Sequence, residues 1–190
     1  MIEIINYKTS SERHLKTCKY LEVVFKGLPE SGNSVDKSHI LLNIYYLTGY
    51  IIETIVNYGI LKLIDFDTIR KKNPENIKKV EDLRSIFNKY KVGFTYQDQY
   101  TRYPLYAKGH QITSEKLKFF TNEFKITNLG IRGIDVKISN SKVEKLLEKW
   151  GAHVRYEFKD MDLINYDNVH NFMLLAEEIH NGIKFKITKD

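Results

Sequence analysis

Cysteine is almost missing from this chain. Cys18 is the only one in 190 residues, so neither an internal disulfide nor a cysteine-based zinc site can form. Proline is scarce, with three, and no run is of low complexity, which argues against a disordered tail. No repeat of fixed period is present, so a solenoid is not expected. The motifs GxxxxGK[ST], GxGxxG, HExxH and GxSxG are all lacking, which removes the usual signatures of phosphate-loop, dinucleotide-binding, zinc-protease and serine-hydrolase sites. The six histidines (His14, His39, His110, His153, His170 and His180) never fall at i,i+4 on one helix. No metal site is expected, and no cofactor. The opening "MIEIINYKTSSERH" has no basic start followed by an apolar core, so no signal peptide is expected.

What the chain has in quantity is lysine, isoleucine, asparagine and tyrosine. Its 30 Lys and Arg outnumber 24 Asp and Glu, giving a net charge of +6 and a pI of about 9.1. A balance of this size permits contact with nucleic acid without requiring it. The most apolar stretch, residues 40–64, reads "ILLNIYYLTGYIIETIVNYGILKLI". A membrane-spanning helix needs roughly 20 mostly apolar residues, and this run is interrupted by Asn43, Glu53, Asn57 and Lys62. Glu53, near its middle, would be costly in hydrocarbon. The expectation is a long helix buried on most faces of a soluble, cytoplasmic bundle that touches no membrane.

Helical spacing recurs along the chain. Thr9 with Glu12 makes a capping box for a first helix, with Leu15, Cys18, Leu21, Phe25 and Leu28 inward. Asp36 is a candidate cap for a second helix running from about Lys37 to Ile64. Gly49 and Gly59 lie inside that helix, each costing on the order of 1 kcal/mol relative to alanine, so a neighbouring backbone is expected close by. "NPENIKKVEDLRSIFNKYK" reads as a third helix, opened by Asn73 and Pro74. "FTYQDQYTRYPLYAKGH" reads as an ordered aromatic loop. "SEKLKFFTNEF" and "SKVEKLLEKW" read as further helices, with "NLGIRGIDVKIS" between them as loop or a short edge hairpin. "HVRYEF" alternates and reads as extended. A closing helix begins near Asp167 and buries Val169, Phe172, Ala176, Ile179 and Ile183. The fold class is all-α, an antiparallel bundle of five to six helices forming a single domain over residues 1–190.

Three clusters carry chemistry. "SERHLKTC" places Arg13 and His14 early in the first helix. "YLTGYIIE" places Glu53 in the most apolar helix. "KWGAHVRYEF" crowds Trp150, His153, Arg155 and Tyr156 at a helix end. A buried glutamate needs a cation or several donors, and Arg155, Arg13 and His14 are the candidates. Glu53, Arg13, His14, Trp150 and Tyr156 are thus read as buried polar residues, structural or functional. "RKKNPENIKK" supplies Arg70, Lys71, Lys72, Lys78 and Lys79, a candidate nucleic-acid surface beside the rings of Tyr96, Tyr100 and Tyr103.

In this order the clusters resemble the HEPN (higher eukaryotes and prokaryotes nucleotide-binding) superfamily of helical bundles. Its "rHlk.A..L" and "YL.GY..E...ny" helices compare with "ERHLKTCKYL" and "YYLTGYIIETIVNY". Its "H.l..L" helix start compares with "HQITSEKLKFF", its "W...RY" segment with "WGAHVRYEF", and its closing helix with "VHNFMLLAEEIHNGI". Residues 65–109 stand as an insertion. The resemblance implies a dimer, or a complex with a partner such as a nucleotidyltransferase or defence effector, in a prokaryotic defence or toxin–antitoxin-type system. Catalytic members are metal-independent ribonucleases with R-x(4–6)-H near the last helix. This chain departs from that spacing: after Arg155 the next histidine is His170, and Arg102 to His110 leaves seven residues between. The expectation is a non-catalytic binding or accessory module for RNA, a nucleotide or a protein. The alternative is a divergent endoribonuclease using Arg155 with His153, His170 or His110.

Overall fold

Thirty residues, Ser34–Leu63, form one continuous helix, α2, around which the other elements gather. Its apolar residues do not keep to one stripe. Leu41, Ile44, Tyr45, Ile51, Ile52, Ile55 and Val56 are all buried, so the helix is covered from several sides. The computed structural model describes residues 4–29, 34–63, 138, 140–156 and 160–187. Among them are α1 (Ile4–Gly27), α2, α3 (Ser141–Lys149) and α4 (Tyr166–Ile187), with short 3₁₀ turns at Ala152–Arg155 and Met161–Leu163. No strand occurs among the described residues, of which 89% are helical. The predicted elements between Ile64 and Lys137 lie outside them.

Helix α1 runs antiparallel to α2. Ser11 donates to the carbonyl of Ile51 at 3.0 Å, and Cys18 to the carbonyl of Ile44 at 3.7 Å. Helix α4 is antiparallel to α1 as well, since Glu22 meets Tyr166 and His170 while Glu12 meets Lys184. It therefore runs in the same direction as α2, with the Tyr45 and Phe172 rings 5.6 Å apart. All five α4 residues expected inward are buried.

By length and composition Val35–Gly59 is long and apolar enough to cross a membrane, but 56% of its most apolar window is buried inside the protein. Its faces are spent on α1, α4, α3 and the Ala152–Arg155 turn. Glu53 and Asn57 are themselves buried there, at 7% and 8% exposure.

Several expectations need correction. Helix α1 starts at Ile4 rather than Thr9, because a buried Ile4 gives it an apolar first turn. Thr9 is exposed mid-helix, and Glu12 pairs with Lys184 instead of closing a capping box. Asp36 lies in the first turn of α2, not at its cap. Helix α4 is capped by Asn165, whose side-chain oxygen accepts from the Asn168 backbone at 3.0 Å; Asp167 sits in the first turn, where its charge still favours the helix dipole. The described part of "HVRYEF", residues 153–156, is not extended: Val154 bonds back to Gly151 and Tyr156 to His153, closing a 3₁₀ turn that buries Val154.

Gly49 does mark a close approach, but of a ring rather than a backbone. A Cβ placed there would lie 1.9–2.2 Å from the indole of Trp150. That indole is fixed by donating to the Tyr46 carbonyl at 3.0 Å and by an edge contact with Tyr50 at 5.0 Å. Gly49→Ala gains helix propensity worth about 1 kcal/mol, yet the clash outweighs it, as overpacking costs about 1–3 kcal/mol or more. We expect a lower urea midpoint for Gly49→Ala. Combining it with Trp150→Leu should cost less than the two single changes added together, and strict additivity would show that the ring and the glycine do not meet.

Candidate functional site

The three sequence clusters meet around Tyr50. Helix α1 brings His14, whose ring centre lies 5.8 Å from that of Tyr50. Helix α2 supplies Tyr46 and Tyr50 themselves, edge to face at 5.0 Å, with the Tyr46 hydroxyl donating to that of Tyr50 at 3.2 Å. The end of α3 supplies Trp150, whose indole also meets Tyr50 edge to face. Tyr46, Gly49, Glu53 and Asn57 recur at three- and four-residue steps and so share one face of α2.

The exposures within this node differ. Trp150 is buried at 2%, while His14, Tyr46 and Tyr50 are half-buried. Burial, and then the charge of neighbouring Arg13, pushes the His14 imidazole below its ordinary pKa, so it is neutral near pH 7. A neutral ring beside two phenols and an exposed guanidinium can offer a stacking surface, hydrogen-bonding groups and one cation.

Of the expected buried polar residues, His14 is only half-buried and two are exposed. Arg13 is exposed because it lies on the outer face of α1. Tyr156 is 83% exposed because the 3₁₀ turn, unlike a strand, directs it away from Trp150. Glu53 and Trp150 are buried as expected. His153 is exposed, its ring against the Cα of Gly151. Arg155 closes the Ala152–Arg155 turn, and its side chain lies outside the described part. His110, Arg70, Lys71, Lys72, Lys78 and Lys79 also lie outside it.

A second polar group, not anticipated, joins α1 to α4. One oxygen of Glu22 accepts from the Tyr166 hydroxyl at 2.6 Å and stands 3.1 Å from the Lys26 ammonium. His170 Nδ1 lies 2.7 Å from the same oxygen, close enough for an ion pair but not in line for a hydrogen bond. The rings of Phe25, Tyr166 and His170 stack in succession at 5.3 and 5.4 Å. Burial works to raise the Glu22 pKa, but the donors Tyr166 and Lys26, with the His170 ring, outweigh it and hold the carboxyl below its ordinary range. Beyond Lys26 one turn on, nothing local in the sequence flags Glu22, because Tyr166 and His170 are over a hundred residues away.

A third group is buried. Ser11 Oγ lies 2.8 Å from His180 Nδ1. Its seven-residue spacing with Ile4, Cys18 and Phe25 was the available signal that Ser11 faces inward. Cys18, on the same line, is fully buried and its thiol is pushed up to about 12. It is core, as expected, and no nucleophile. Comparison with family models, with curated proteins and with solved structures gives no match.

Two predictions follow from these placements. Native protein at about pH 8 should resist thiol reagents, reacting at Cys18 only as it unfolds; rapid labelling of the folded form would contradict its burial. The Glu22 carboxyl stays ionised in the fold below the pH at which the unfolded chain takes up its proton. Its contribution to stability is therefore full above the ordinary value of 4.5 and is lost as pH falls below it. Urea midpoints measured from neutral pH downward should show a shallower acid decline for Glu22→Gln than for the wild type.

Proposed function

We propose that this protein is a HEPN-like, non-catalytic binding or accessory module acting in the cytoplasm, as a homodimer or with a partner protein, in a prokaryotic defence or toxin–antitoxin-type system. Its ligand surface on this reading is the half-buried node of His14, Tyr46 and Tyr50 backed by Trp150, and the ligand is RNA or a nucleotide. The observation that carries the reading is the meeting of His14, Tyr50 and Trp150, one from each of the three clusters on which the family resemblance rests. Half-exposed rings suit a nucleobase, since base–aromatic stacking contributes about 1–3 kcal/mol per base. Arg13, exposed and next in sequence to His14, would meet a phosphate on this reading. Glu53, buried on the same face of α2, is assigned to the support of the node rather than to chemistry.

Trp150 is the single tryptophan, and its contact with Tyr50 makes it a reporter for the node. Titrating short single-stranded RNA and nucleoside monophosphates should change its emission. Tyr50→Leu and His14→Ala should each weaken binding by about tenfold, in keeping with one lost stacking contact. Binding unmoved by both changes but falling steeply with salt would transfer the site to the basic run of Arg70 to Lys79. Chelator-resistant RNA cleavage that disappears in Arg155→Ala would replace the proposal with the endoribonuclease reading.

A further inference from the structure

We propose that α4 opens in acid at one end only: the buried His180 side chain, seated on Ser11, takes up a proton and frees the C-terminal half from α1 and α2, while the Glu22–Tyr166 bond keeps the N-terminal half in place. This goes beyond the binding role and does not depend on it.

The Ser11 hydroxyl has one hydrogen, and it donates to the Ile51 carbonyl at 3.0 Å. What it offers His180 Nδ1 at 2.8 Å is a lone pair, so Nδ1 carries the N–H. Acid must therefore add its proton at Nε2, to a ring only 2% exposed. The charged groups acting on that ring are Lys8 and Glu12 from α1 and Glu177 and Lys184 from α4. Both carboxylates are already engaged, Glu12 with Lys184 at 2.8 Å and Glu177 with Lys19. Helix α2 presents the Ile51 carbonyl. Burial is the larger influence and, with the lysines, keeps the imidazole below its ordinary pKa. The unfolded or opened form thus binds the proton more readily, and falling pH draws the ring out.

The other end is built differently. There the Glu22 carboxylate accepts from the Tyr166 hydroxyl at 2.6 Å, with His170 Nδ1 standing 2.7 Å from the same oxygen. Lys26 from α1 and the Tyr166 hydroxyl from α4 share that oxygen, and Lys37 of α2 lies over the adjoining Phe25 ring. The donors hold the Glu22 carboxyl below its ordinary range, so mild acid leaves it charged and this group intact. The half that opens carries Ile179 and Ile183, both buried, so the acid form uncovers an apolar strip.

Hydrogen exchange by mass spectrometry at about pH 7.5 and about pH 5.5, corrected for intrinsic rates, tests the proposal. We expect amides of residues 177–187 to exchange about tenfold faster in acid and those of 166–173 to be unchanged, since one pH unit of linkage is tenfold. His180→Gln should abolish the difference and His170→Gln should not. Uniform acceleration along α4, no acceleration, or a difference that persists in His180→Gln would overturn it. Should the variant fail to fold, the wild-type profile alone still decides between opening at one end and opening along the whole helix.

Discussion

One indole lying where a side chain is missing fixes how this bundle closes. Trp150 occupies the space over Gly49 so fully that a single added carbon would overlap it. From that seat the ring bonds the Tyr46 carbonyl, and the Tyr45 hydroxyl answers by bonding the Leu146 carbonyl at 2.8 Å. Helix α3 is therefore held to α2 by two reciprocal bonds from large aromatic side chains, with Val143, Leu146 and Leu147 packed beneath. The half-exposed ring of Tyr50 owes its orientation to the same indole. Site and scaffold share one constraint.

Helices α1 and α4 are joined by polar groups set along a line. Glu22 gathers its donors at one end, Lys19 meets Glu177 in the middle, and Ser11 and Glu12 meet His180 and Lys184 at the other end. Exposed ion pairs contribute little each. The buried members matter more, because a donor or acceptor stripped of its partner in a dry interior costs about 1–3 kcal/mol. Such bonds discriminate against misaligned packings more than they add to net stability.

Much of the helical core was legible in the sequence, for a simple reason. Where four or five apolar residues recur at helical spacing, as from Val169 to Ile183, burial has little choice. The ends of helices were less legible. Whether Thr9 caps or lies mid-helix depends on Ile4 finding a core, and whether Asn165 or Asp167 caps α4 depends on one side-chain oxygen reaching one amide. The polar contacts were least legible. The spacing of Ser11 shows that it faces inward but not that it meets His180, 169 positions away, and Gly49 announces a close neighbour without naming it. For the site, the clustering of His14, Tyr50 and Trp150 was readable as three separate oddities. The outward turn of Arg13 and Tyr156 was not, because it follows from helix rotation and a 3₁₀ turn.

The two small donors of α1 have a further consequence. Ser11 and Cys18 are seven residues apart, and so are the carbonyls they meet, those of Ile51 and Ile44. Two rungs about 10 Å apart, with equal spacing on both rails, act as a gauge of chain length. One residue inserted between the rungs on either helix leaves at most one of them engaged, and turns everything beyond it by about 100°. Additions outside the rungs leave the gauge intact. Length variation in this pair of helices is thus confined to their ends, and the stretch from Ser11 to Cys18 and its counterpart from Ile44 to Ile51 must keep their count even where their residues change.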